Sequence, residues 1–129
     1  MIKHFDHFVL NSIDPIACLR FYEKLGFRIE EHEGHYHLRA HTFGIRIHPM
    51  YAPAILHAKN PQTGTAFLTW EVELNSDELV NFLKDHDINI EKGPLPHTGF
   101  YGIGMSVYVR DPDGNLIELI SYQDIDANN

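Results

Sequence analysis

Glu118 is the lone acid in the apolar run Leu116 to Tyr122, which follows the series Arg110-Asp111-Pro112-Asp113-Gly114-Asn115. A carboxylate inside such a strand needs a partner, because an unpaired buried charge costs several kcal/mol. A metal ion, a cationic side chain or a bound ligand would meet that need; an edge strand with Glu118 facing water is the alternative. The ten histidines are scattered along the chain. Histidine is the commonest metal ligand and titrates near neutral pH, but abundance alone assigns no role. Alternation puts Tyr108 on one strand face with Ser106, where its phenol could donate a proton to a substrate oxygen; stacking in the core is the competing role. Arg46 and His48 also share a face, and an arginine there suits a carboxylate or phosphate rather than a metal. His35 and His37 read as a solvated surface pair, and Cys18 as a small core residue.

The elements that must carry these residues follow from periodicity. Residues 3–10 alternate as a strand, with Phe5, His7 and Val9 on one face. Asp14-Pro15 starts a helix, with the apolar positions Ile16, Leu19, Phe21, Tyr22 and Leu25, and Gly26 ends it. Strands are predicted near 27–32, 35–41 and 43–49, separated by Gly34 and the Thr42–Gly44 region. A loop containing Pro53, Pro61 and Gly64 covers 50–64. The pattern then restarts: a strand at 65–73, a capping box at Asn75-Ser76-Asp77-Glu78 with Leu79, Phe82 and Leu83 inward, and a strand near 88–91. A Gly- and Pro-rich loop over Gly93–Gly104 precedes strands at 105–110 and 115–122, which flank the Asp-Pro-Asp-Gly turn. The order is strand–helix–strand–strand–strand, twice, and the tail Gln123–Asn129 is polar.

Composition excludes several classes. A formal charge of −8 argues against nucleic acid, which requires a basic face. No apolar stretch approaches the ~20 residues of a membrane helix, and the N-terminus leads straight into a strand pattern without a signal peptide. The single Cys18 excludes an internal disulfide and suits a reducing compartment, so a cytoplasmic location is expected.

Phe5-Asp6-His7-Phe8-Val9-Leu10, Phe21-Tyr22-Glu23-Lys24-Leu25-Gly26-Phe27 and Arg110 through Glu118, in this order, resemble the vicinal oxygen chelate superfamily of glyoxalases, extradiol dioxygenases and bleomycin-resistance proteins. Gly93-Pro94-Leu95-Pro96-His97-Thr98-Gly99, with Ser106-Val107-Tyr108, is similar to its glyoxalase domain-containing branch. The resemblance implies an α+β fold: one domain, 1–129, of two βαβββ modules, about 1–52 and 64–123, whose curled mixed sheets form a shared cleft. It also implies a homodimer.

Carried over by position, the resemblance implies His7, His48 and Glu118 as ligands of a divalent metal ion (Fe, Mn, Ni or Zn), with Glu118 and Tyr108 catalytic and Arg46, Phe67 and Tyr108 binding substrate. Phe67 stands where a ligand histidine is common, and phenylalanine cannot coordinate. Glu71 is a substitute donor, while His57, His97, Phe100 and Tyr101 fall in loops that would line a cleft mouth. Two functions are implied. One is a metal-dependent lyase, isomerase or dioxygenase acting on adjacent oxygens of a small molecule. The other is a metal-free protein that sequesters a small ligand.

Overall fold

The computed structural model describes residues 1–33, 35–52 and 56–123. The expected turn at Gly34, Pro53 of the connecting loop and the tail from Asp124 lie outside the described residues. Two compact units are present: Met1–Ala66 with Pro112–Gly114, and Phe67–Asp111 with the segment from Asn115. Among the described residues, no helix is long and apolar enough to cross a membrane.

In the first unit, β1 (His7–Ser12), α1 (Pro15–Lys24), β2 (Arg28–His32), β3 (His35–Ala40) and β4 (Phe43–Pro49) follow one another. The sheet order is β1-β4-β3-β2, with β1 parallel to β4 and the other pairs antiparallel. Asp14 caps α1 by accepting from the Ala17 amide at 3.1 Å, and Pro15 occupies the first turn, where its missing N–H costs nothing. Cys18, Leu19 and Tyr22 of α1 are buried, as are Leu38, Ile45 and Ile47 of the strands, whereas Ile16 in the first turn is exposed. Ile45 and Ile47 alternate with Gly44, Arg46 and His48, so one face of β4 is core and the other polar. The first strand begins at His7, later than the pattern at 3–10 suggests, because its partner β4 begins only at Phe43.

The second unit repeats the plan with β5 (Phe67–Glu71), α2 (Ser76–Asp85), β6 (Ile90–Gly99), β7 (Gly102–Arg110) and β8 (Leu116–Ser121), ordered β5-β8-β7-β6. The capping box forms as the sequence predicts: Asn75 accepts from the Glu78 amide, and the Glu78 side chain accepts from the Asn75 amide. Leu79 and Leu83 of α2 are buried, along with Val107, Val109, Ile117 and Leu119. The turn before β8 is clamped by Asp111, whose carboxylate accepts from both the backbone and side-chain amides of Asn115.

The stretch 93–104 corrects the loop expectation. Most of it is a hairpin, β6 turning into β7 between Gly99 and Gly102. Gly and Pro favour turns locally, but ladder pairing overrides that preference here. Between Lys92 and Leu95 the ladder slips by one residue: Lys92 faces Tyr108, whereas Leu95 faces Ser106. Gly93 sits in this bulge with φ +97°, and a Cβ there would run into the Ser106 carbonyl oxygen.

Candidate functional site

Strand β8 lies between β5 and β7, so Glu118 is on an interior strand and only 2% exposed. Thr69 faces it from β5 and Tyr108 from β7. The Thr69 hydroxyl donates to Glu118 Oε1 at 2.9 Å, and the buried Ser106 hydroxyl donates to Oε2 at 2.6 Å. His97 Nδ1 lies 2.8 Å from Oε2, and Tyr108 stands beside the carboxylate in register. A carboxylate offers roughly four lone-pair sites, and Thr69, Ser106 and His97 take up three of them.

Burial pushes the Glu118 carboxyl up, but hydrogen bonds from Ser106 and Thr69, with the charge and hydrogen bond of His97, outweigh it and hold the group below the ordinary range. Burial also pushes the Tyr108 phenol up, and the adjacent Glu118 charge and hydrogen bond act in the same direction. Tyr108 therefore stays a donor at neutral pH. An ionised Glu118 only accepts, so Nδ1 of His97 carries the proton and a neutral ring keeps Nε2 as an acceptor.

His97 reaches this face through the hairpin register, in which it pairs with Gly104 and Leu95 pairs with Ser106. The ladder slips twice before Leu95, between Ile90 and Lys92 and again between Lys92 and Leu95, so the two slips cancel in parity. Sequence reasoning placed His97 in a mouth-lining loop and missed it as a partner of Glu118. The available signal was Gly-Pro inside a run that otherwise pairs, which marks a bulge. Thr69 and Ser106 were legible only as face-mates of Phe67 and Tyr108. Aromatic rings wall the cluster: Phe67 and Tyr108 are edge-to-face at 6.5 Å, and His97 and Tyr108 at 6.4 Å. Phe67 is 60% exposed, consistent with a wall rather than a core residue.

The other predicted residues lie in the first unit. His7 Nδ1 pairs with Asp6 Oδ2 at 2.7 Å, and the hydrogen bond and charge of His7 lower the Asp6 pKa. His7 lies level with Gly44 on the ladder, whereas His48 lies level with Asn11, four residues further on. At about 3.3 Å per residue that is roughly 13 Å along the strand. The structure does not bring His7 and His48 together, and His48 Nε2 is engaged with the Ala52 carbonyl at 3.1 Å. Arg46 is exposed and pairs in register with His37. Burial and the nearby Arg46 lower the His37 pKa, so this ring is a half-buried neighbour of a cation rather than a freely solvated surface group. Among the described residues, no three His, Cys, Asp or Glu side chains cluster as a metal site.

A family model described as the Glyoxalase/Bleomycin resistance protein/Dioxygenase superfamily matches residues 4–119. The chain is 33% identical over 124 residues to the glyoxalase domain-containing protein RDO1 of Mycosarcoma maydis, covering 95% of this chain and 70% of that one. It is 35% identical over 126 residues to virulence protein STM3117 of Salmonella typhimurium, covering 95% and 86%. A solved protein from the mobile metagenome of V. Pseudocholerae shares 33% identity at a TM-score of 0.89, covering 95% of this chain and 96% of that one.

Proposed function

We propose a function on one premise: this chain belongs to the glyoxalase/bleomycin resistance protein/dioxygenase superfamily. On that premise, it binds a small organic molecule against the Glu118 face of its second sheet, and it does so without a metal ion on that carboxylate. One observation carries the reading: Glu118 is buried and its oxygens are committed to Thr69, Ser106 and His97.

Members of this superfamily often use divalent metals, which act as Lewis acids on substrate oxygens. The donors around Glu118 do not fit that role. Both of its oxygens already accept from protein donors, and Phe67 at the start of β5 has no ligand atom. What the face offers instead is recognition. Phe67 and Tyr108 supply apolar ring surface, and His97 supplies a half-exposed imidazole whose orientation Glu118 fixes. That combination suits an aromatic ligand carrying a polar group, with His97 Nε2 accepting from it.

A second reading has its own support. A histidine whose Nδ1 is held by a carboxylate presents Nε2 outward, which is how metal-binding histidines are commonly oriented, and Asp6 holds His7 in this way. The metal-dependent lyase, isomerase or dioxygenase would use that atom.

Calorimetric titration of Mn(II), Ni(II), Zn(II) and anaerobic Fe(II) into tag-free protein separates the two. The metal-free reading expects no stoichiometric site that depends on Glu118. One equivalent bound by the wild type, and lost in both His7→Ala and Glu118→Gln, would overturn it. A thermal-shift screen of phenols and aromatic acids then identifies ligands, and His97→Ala is expected to lose the response.

A further inference from the structure

Three histidines stand on one face at the closed end of the β2–β3 hairpin. His35 and His37 are two residues apart on β3 and so share a face. His32 is level with His35 across the antiparallel ladder, which puts it on that face too. His37 is level with Glu30, so His32 and His37 are diagonal neighbours, a spacing that aromatic side chains can bridge. Their rings do meet: the centroids are 6.2 Å apart and the planes are tilted by 51°.

Two imidazoles on one ion place their centroids roughly 5–6.5 Å apart, because each metal–nitrogen bond is about 2.1 Å and the ring centre lies about 1.1 Å beyond. The observed pair falls within that span, so side-chain rotation alone brings both rings to a shared ion. Their nitrogens are not spent elsewhere: His32 and His37 make no hydrogen bond or ion pair among the described residues. His32 is exposed and His37 half-buried, so an ion reaches the pair from solvent. Burial lowers the His37 pKa, and Arg46, His32, His35 and His7 act in the same direction, which keeps the ring neutral and ready to coordinate. Glu30, opposite His37, is engaged by Arg28 and Arg39. The Arg46 charge opposes a metal cation as it opposes a proton. It therefore restricts the pair to ions that imidazole binds strongly, Cu(II), Ni(II) and Zn(II), and disfavours Mg(II).

We infer that His32 and His37 form a two-point chelate for a late transition-metal ion, tightest for Cu(II), with water completing the coordination. Two protein ligands suffice, so the lack of a three-residue cluster among the described residues does not bear against it. The site ties β2 to β3 and uses none of His7, His48 and Glu118. It does not rest on the reading of Glu118.

The test titrates Cu(II), Ni(II), Zn(II) and Mg(II) separately into the tag-free chain by calorimetry near neutral pH. Wild type is compared with His32→Gln, His37→Gln, His57→Gln, His7→Ala and Glu118→Gln. His57 is an exposed imidazole outside the hairpin, so its variant removes a ring without touching the pair. One equivalent of Cu(II) is expected, with weaker Ni(II) and Zn(II) and no saturable Mg(II). Affinity should fall about tenfold or more in His32→Gln and in His37→Gln, and stay unchanged in the other three variants. In NMR, Zn(II) should shift the ring resonances of His32 and His37 together. Three results overturn the inference: no saturable binding of the three ions up to about 1 mM, full binding retained by His32→Gln, or equal weakening in His32→Gln and His57→Gln. Binding lost in His7→Ala and Glu118→Gln but kept in His32→Gln also overturns it, and returns the ion to the metal-dependent reading.

Discussion

Val9, Arg46, His37 and Glu30 lie side by side across the first sheet, and Thr69, Glu118, Tyr108 and Lys92 hold the corresponding places in the second. The two rows share strand order and register, yet their central charges are opposite in sign and in circumstance. Glu118 is buried and satisfied by Thr69 and Ser106 from the flanking strands. Arg46 is exposed between Val9, which can donate and accept nothing, and His37. The ladder thus fixes where a central side chain stands, while its neighbours decide whether its bonding capacity is spent inside the protein or left for a ligand.

The largest test of this contrast is truncation of the two central residues. Glu118→Ala removes the acceptor of several donors and leaves a void, and is expected to cost about 3 kcal/mol in chemical denaturation. Arg46→Ala should change stability by no more than about 0.5 kcal/mol, as for an ordinary surface position. Equal losses would break the comparison. The same carboxylate sets the response to acid. Its pKa is lowered on folding, so its contribution is complete above the ordinary value of 4.5 and drains away as pH falls from there through the lowered value. Denaturation midpoints measured across that window should decline less steeply in Glu118→Gln than in wild type. An unchanged slope would mean that other carboxylates dominate.

Gly93→Ala should cost about 2 kcal/mol, since alanine is strained at positive φ and meets the Ser106 carbonyl. The sharper readout is the imidazole resonance of His97 in NMR, which should move if the bulge relaxes and pulls the ring from Glu118. A smaller loss is expected from Asn75→Ala, which removes half of the α2 capping box and should lower stability by about 1 kcal/mol by thermal unfolding. A matching loss in Asp14→Ala would show that the two units anchor their helices equally well.

The doubled strand–helix–strand–strand–strand order was legible because its punctuation is chemical: Asp14-Pro15, the Asn75 to Glu78 box and Asp-Pro-Asp-Gly each act through local bonds. The need of Glu118 for partners was legible for the same reason. Their identity was not. Gly93, Pro94, Pro96, Gly99 and Gly102 all speak locally for a loop, and only pairing with β7 makes a strand of them. Which face His97 takes depends on its pairing with Gly104 across the hairpin, and alternation read from one strand alone cannot supply it. The level of His48 was hidden likewise, because the β1–β4 register is set by distant pairing and not by the residues of β4.

The two slips also limit how this hairpin can vary. Between Ile90 and Leu95, β6 carries two residues more than the facing stretch of β7, while Leu95 to Gly99 keep the partners that the turn to Gly102 gives them. Loss of one residue before Leu95 would therefore disturb the pairing of Ile90 and Lys92 and leave His97 opposite Gly104.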